Sequence, residues 1–279
     1  MSEQKQSSET AQGTAFIRAL SCFEPDPKIR GMDDLASLFL PEAQRHKLQH
    51  ERYRAAAKSM IDNGTYEYVM ARTKYFDDIL EDSLADNIEQ IVILGAGYDT
   101  RAYRFSEKMA GIRVFEVDAP YTQTEKIERL ETAGIPHDHV RFVSVDFEKD
   151  DLMTRLSESG HRKDLRTLFI WEGVSLYLTP ESVDSTLDHL RSLCCAGSIL
   201  CFDYFNCRVH HTQNIRKKDE LILFGMSLAE MNEYLSGKGF SVKDNIDESE
   251  LHRRFLVCGD GSLFGDTKNK MNLVAAYIE

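Results

Sequence analysis

The sequence predicts an α/β fold: a seven-stranded, mostly parallel sheet with helices on both faces, preceded by an N-terminal helical cap. Three observations predict it. Short apolar runs recur from residue 90 onward, each ending at a turn or a helix-forming segment. Most of these runs are apolar throughout rather than alternating, as strands buried on both faces are. Helix-length gaps separate the first five runs, which is what parallel neighbours need for their crossovers.

The elements follow in order. Residues 1–13 are polar, lack the apolar centre of a secretory leader and read as a disordered tail ahead of a single domain, 14–279. Within it, 14–89 reads as the helical cap. Asp33-Asp34 precedes Leu35, Leu38, Phe39 and Leu40, Pro41 stops that segment, and Glu42 to Leu84 is amphipathic with a break at Asn63-Gly64. The core, 90–279, opens with Ile91-Val92-Ile93-Leu94 and continues with Ile112–Val117, Val140–Val145, Leu168–Trp171 and Ser198–Phe202. Phe240–Ile246 and Leu273–Ile278 supply a closing pair, with Gly237-Lys238-Gly239 as the helix stop before the first of them. Residues 206–225, polar and at first basic, read as an insertion, either a lid or a surface excursion, before a helix over Ser227–Leu235.

Composition narrows the function. The net charge is −12 and the pI near 5.3, which disfavours nucleic acid, since that binding runs on Lys and Arg neutralising phosphates. The basic triplet Arg216-Lys217-Lys218 reads as a solvated face. No run of about 18 apolar residues would span a membrane. The six cysteines form no C-x-x-C pair, and they read as reduced, buried packing in a cytoplasmic protein. His210-His211 are adjacent and have no carboxylate at ligand spacing, so no metal site is expected.

Four strand ends carry chemistry. Gly95 and Gly97, in Leu94-Gly95-Ala96-Gly97-Tyr98-Asp99-Thr100-Arg101, allow a tight turn and close approach of a ligand to the backbone. Thr100 stands where a dinucleotide fingerprint would have its third glycine, so a docked pyrophosphate is not indicated. Asp118, about 20 residues beyond the glycines, is placed to accept hydrogen bonds from ribose hydroxyls; Glu116 and Asp118 share one side of the strand. Asp146 and Phe147 pair an acceptor with an apolar ring, as a purine requires, although Asp146 alone would also serve as a helix N-cap. Glu172 ends a strand buried on both faces, where a carboxylate needs a cationic partner such as an α-ammonium. Upstream, Arg72 could clamp a carboxylate with two parallel hydrogen bonds, or be an ordinary helix charge. Tyr177 could line a substrate pocket or belong to the core.

Taken together, the strings Ala71–Asp78, Leu94–Arg101, Phe115–Pro120 and Glu172–Pro180 resemble the leucine carboxyl methyltransferase family, over most of the chain from about Thr14 to Leu235. The resemblance implies a Rossmann-like class I methyltransferase fold with S-adenosylmethionine as cofactor. It puts the carboxylate clamp on Arg72, the glycine turn on Gly95 and Gly97, and the ribose acid on Asp118. The adenine pair falls on Asp146 and Phe147, where the family usually has Leu, and the ammonium acid on Glu172. The Glu181-Ser182-Val183 region and the insertion look more like the bacterial small-molecule branch, polyketide enzymes included, than the phosphatase-directed one.

The expected activity is therefore O-methylation of a carboxylate or phenolic hydroxyl on a small molecule by direct in-line transfer. A carboxylate is ionised at neutral pH and needs no base, whereas a phenol, with its pKa near 10, benefits from one. No residue in the sequence identifies itself as that base. Protein C-terminal carboxyl methylation, a nicotinamide dehydrogenase and a non-catalytic nucleoside-binding module are the alternatives; Thr100 and Glu172 speak against the dehydrogenase.

Overall fold

The computed structural model describes residues 2–62, 64–146, 150–207, 216–217, 220–265 and 270–279. The cap contains α1 (Ser2–Ser21), α2 (Glu42–Leu48), α3 (Glu51–Ser59) and α4 (Thr65–Ala85), with a 3-10 turn at Asp34–Phe39. The core then runs β1 (Gln90–Leu94), α5 (Arg101–Arg104), β2 (Arg113–Asp118), α6 (Pro120–Ala133), β3 (Val140–Ser144), α7 (Leu152–Glu158) and β4 (Thr167–Trp171). A second 3-10 turn, Ser175–Tyr177, leads to α8 (Pro180–Ser192), β5 (Ile199–Phe205), the short β6 (Arg216–Lys217) and β7 (Glu220–Leu221), and α9 (Leu228–Gly237). β8 (Phe240–Ile246), α10 (Glu248–Phe255) and β9 (Met271–Ile278) complete the chain.

The sheet order is β3-β2-β1-β4-β5-β9-β8. Its first five strands are parallel, and β9 pairs antiparallel with both β5 and β8. The predicted fold class is therefore the observed one. The chain winds outward from β1 through β2 to β3, then returns to place β4 on the other side of β1. A crevice opens outside the carboxyl ends of strands at such a switch point.

Alternation along the strands sorts their side chains onto two faces. Val92, Leu94, Phe115, Val117, Phe169 and Trp171 pack with α8 and α9 residues such as Leu187 and Leu235. Ile91, Ile93, Val114, Leu168, Ile170 and Cys201 face the cap helices, α6 and α10. Glu116, Asp118 and Asp203 occupy positions of the second parity, so three carboxylates are turned toward the cap side of the sheet.

Helix α1 begins at Ser2, within the stretch expected to be a tail. Its composition gives little helix signal, yet Ala15, Ile17, Ala19 and Leu20 are buried in the cap core and Ala11 packs against it. Tertiary packing decides the matter, as it does for most helices. Asn63, Phe147, His210, His211 and Lys218 lie outside the described residues. At the far end of the insertion, the Leu223 and Phe224 N–H groups donate to the Leu176 carbonyl at 2.8 and 3.2 Å.

Candidate active site

A cavity of about 480 Å³ opens above the carboxyl ends of β1, β2, β4 and β5. Its floor is the turn after β1. Gly95 and Gly97 have φ of +62° and +43°, and a Cβ on Gly95 would stand 2.6 Å from Val174 Cγ2. Both positions favour glycine for conformation, and Gly95 requires it for room as well. The register of β1 with β2 carries this turn to Asp118: the Ala96 N–H donates to Val117 O at 3.0 Å, and the Gly97 N–H donates to the Asp118 carboxylate. The Ala119 N–H donates to its other oxygen at 2.6 Å. Burial raises the Asp118 pKa, and these two N–H groups act against that rise.

One wall is a stripe of α4. Thr65, Tyr68, Val69 and Arg72, spaced i, i+3, i+4 and i+7, all line the cavity. Facing it, Glu172 follows β4. Arg72 Nε lies 2.9 Å from Glu172 Oε1, and Arg72 Nη1 lies 3.0 Å from Asp203 Oδ2. The two residues expected to hold opposite ends of an amino acid are thus adjacent, with charges of opposite sign. Burial raises the Glu172 pKa, but the Arg101 and Arg72 guanidiniums outweigh it and hold Glu172 below the usual carboxylate range. Burial would lower the Arg72 pKa, and the Glu172 and Asp203 carboxylates carry it upward instead. Both are ionised at neutral pH.

Beneath Glu172 sits Arg101, fully buried. It reaches Asp77 at 2.8 Å, Asp99 at 2.5 Å and Glu172 at 2.7 Å, and its Nη2 donates to Thr73 O at 3.3 Å. Asp99 also lines the cavity; burial raises its pKa, but Arg101, Lys126 and Arg18 overcome this and bring it to about 2. Arg18, from α1, lines the cavity as well, donating to Tyr98 O at 2.6 Å.

Of the residues singled out from the sequence, Arg72, Gly95, Gly97, Asp118 and Glu172 line this one cavity, as does Tyr177. Asp146 follows β3, its N–H donating to Asp150 at 2.8 Å, and it is not among the described lining residues. Phe147 lies outside the described residues. Sequence reasoning missed Tyr68, Asp99, Arg101 and Asp203. For Asp203 a signal existed, namely a lone acid in the otherwise apolar and aromatic run Ile199-Leu200-Cys201-Phe202-Asp203-Tyr204-Phe205. For Arg101 the residue stood inside a motif already singled out, without an assigned role.

The glycine turn, the acid ending β2 and the acid following β4 are thus gathered at the switch point of a mostly parallel α/β sheet. The leucine carboxyl methyltransferase family profile matches residues 11–191, and the chain belongs to that family. A Mycolicibacterium smegmatis protein assigned as an S-adenosyl-L-methionine-dependent methyltransferase is 35% identical over 208 residues, covering 72% of this chain and 67% of its own. A Streptomyces coelicolor protein of the same assignment is 32% identical over 199 residues, covering 68% and 66%. Among solved structures, magnesium protoporphyrin IX methyltransferase from Synechocystis with bound S-adenosylmethionine superposes with a TM-score of 0.50 at 12% identity, over 79% of this chain and 86% of that one. That likeness shows the fold. The protein is an S-adenosylmethionine-dependent methyltransferase. No helix among the described residues is long and apolar enough to cross a membrane.

Proposed function

We propose that the protein methylates an oxygen of a small molecule, a carboxylate or a phenolic hydroxyl, using the cavity above β1, β2, β4 and β5 as the cofactor site. The observation that carries this reading is the ionised pair Arg72–Glu172 beside the Gly95–Gly97 turn and Asp118. S-adenosylmethionine supplies a methyl group already activated on a sulfonium.

The chain's own residues then have to bind and align. Arg72 has five N–H donors, and those not turned to Glu172 and Asp203 are offered to the methionine carboxylate. Glu172, held ionised by Arg101, takes the α-ammonium. Asp118, fixed by the Gly97 and Ala119 N–H groups, takes the ribose hydroxyls, and Gly95 and Gly97 let the nucleoside lie against the backbone. We assign the adenine to Asp146 and Phe147, beyond β3. Ile17, Val69, Leu176, Leu178 and Met271 give the rest of the cavity an apolar lining suited to the body of a small acceptor. Such fixed placement can supply roughly 7–11 kcal/mol of the barrier.

We also propose that residues 220–225, the described far end of the insertion, border the acceptor, since Leu223 and Phe224 are hydrogen-bonded to Leu176 beside the cavity. A cytoplasmic location is supported by the free cysteines found among the described residues.

The test is turnover of methyl-labelled S-adenosylmethionine with a panel of carboxylic acids and phenols, the product then being treated with base. A base-labile label means an ester and a stable one an ether. Label transferred only to nitrogen or sulfur acceptors would end the O-methyl reading.

A further inference from the structure

Asp203 is a carboxylate with 0% exposure in the middle of the fold, yet it belongs to no motif that the sequence offered. It stands on β5, on the face turned toward α4. Its Oδ2 receives Tyr68 Oη at 2.8 Å and Arg72 Nη1 at 3.0 Å, while its Oδ1 receives the Gly173 N–H at 2.6 Å. Its backbone carbonyl accepts from Ser175 Oγ. One side chain therefore ties the α4 wall to the turn that carries Glu172.

We infer that Asp203, braced by Tyr68, is a positioning residue for the methionine end of the cofactor, acting through Arg72; this rests on the reading of Arg72 and Glu172 given above. The argument is geometric. An arginine side chain has many rotamers, and a single partner would let the guanidinium swing. Against Glu172 alone, the favoured arrangement would be a bidentate pair, which spends two of the five N–H donors on the acid needed for the ammonium. The guanidinium is instead shared between two acids, Nε facing Glu172 at 2.9 Å while Nη1 donates to Asp203 at 3.0 Å. The same carboxylate holds the Gly173 N–H, so the turn and the guanidinium keep one relative placement. Tyr68 acts on the same oxygen, with Arg72 lying over its ring at 5.3 Å.

The experiment is calorimetric binding of S-adenosylmethionine and S-adenosylhomocysteine to the full chain, in wild type, Asp203→Asn, Arg72→Gln and the double variant, each checked for folding by thermal melting. Asparagine keeps an acceptor for Gly173 but presents an amide where two donors now point. Asp203→Asn is expected to weaken binding about tenfold or more in the wild-type background, the scale of one charged hydrogen bond. In the Arg72→Gln background it should cost less than about twofold, because contacting residues that act through one another are not additive.

A loss of equal size in both backgrounds, or unchanged affinity for Asp203→Asn, would overturn the inference while leaving the site reading intact. Unchanged affinity for Arg72→Gln would remove both. Should Asp203→Asn not fold, Tyr68→Phe carries the test. It is expected to weaken binding about threefold, with the effect vanishing beside Arg72→Gln; affinity equal to wild type would overturn the proposal.

Discussion

Arg101 has no exposure, yet three carboxylates depend on it: Asp77, Asp99 and Glu172. Removing one partner of a buried ion pair leaves an uncompensated charge, so the loss exceeds what the pair itself contributes. Arg101→Met should destabilise the protein by about 3–5 kcal/mol in urea unfolding, and Arg101→Lys by less, since lysine keeps the charge even though one ammonium cannot present a planar fork to three acids. Equal stability of wild type and Arg101→Met would show that the acids are satisfied elsewhere. Gly95→Ala probes the other side of the cavity. A Cβ at 2.6 Å from Val174 and a φ of +62° predict a loss of about 1–3 kcal/mol together with weaker cofactor binding. At this scale the sequence was readable where a residue follows a strand end or keeps helical spacing, as Gly95, Gly97, Asp118, Glu172 and Arg72 do. It was not readable where the partner is fixed only by packing. Arg72 meets Asp203 across 131 residues and Arg101 meets Glu172 across 71, and no local periodicity encodes such distances.

Elements tell the same story with α1 as the exception. The seven expected runs correspond to the seven strands of the sheet, and the inner ones, β1, β4, β5 and β9, were legible because a strand buried on both faces is largely apolar. The helix Ser227–Leu235 was legible for a local reason as well, a capping box between Ser227 and Glu230 at its start. Residues 10–14 gave no such signal, since what they pack against lies elsewhere in the chain. Thr10, Ala11, Gly13 and Thr14 line the cavity, and a Cβ on Gly97 would lie 3.6 Å from Ala11 Cβ. Residues 10–14 of α1 therefore roof the glycine turn. Deleting residues 2–13 should leave the sheet folded, with an unchanged far-UV signature apart from the lost helix, but weaken binding of S-adenosylhomocysteine about tenfold, or about 1.4 kcal/mol. Full affinity in the truncated chain would return those residues to the status of a tail.

For the whole molecule, response to acid is set by groups whose pKa differs between folded and unfolded chains. His161 is buried between Phe115 and Phe169, with ring centroids 5.6 and 6.2 Å away. Burial, helped by Arg113, lowers its pKa from 6.5 to about 4. Between those values the unfolded chain binds a proton that the folded chain does not, so stability falls as pH falls through that window. Burial acts oppositely on Glu116, raising its pKa to about 7 despite Lys126 at 2.6 Å. There the folded chain keeps a proton that the unfolded one has lost, and stability falls as pH rises from 4.5 toward 7. The two slopes oppose each other over most of the same range, so the wild-type curve alone cannot isolate either. The difference between wild type and His161→Phe can, because the Glu116 contribution is common to both. Phenylalanine keeps the ring contacts, and Gln90 retains Arg162 O at 2.7 Å and Thr167 Oγ1 at 3.0 Å. In urea unfolding, wild type should lose about 2 kcal/mol relative to His161→Phe on going from about pH 7.5 to about pH 5. Parallel stability curves for the two proteins would mean that His161 titrates in the folded state as it does in the unfolded chain.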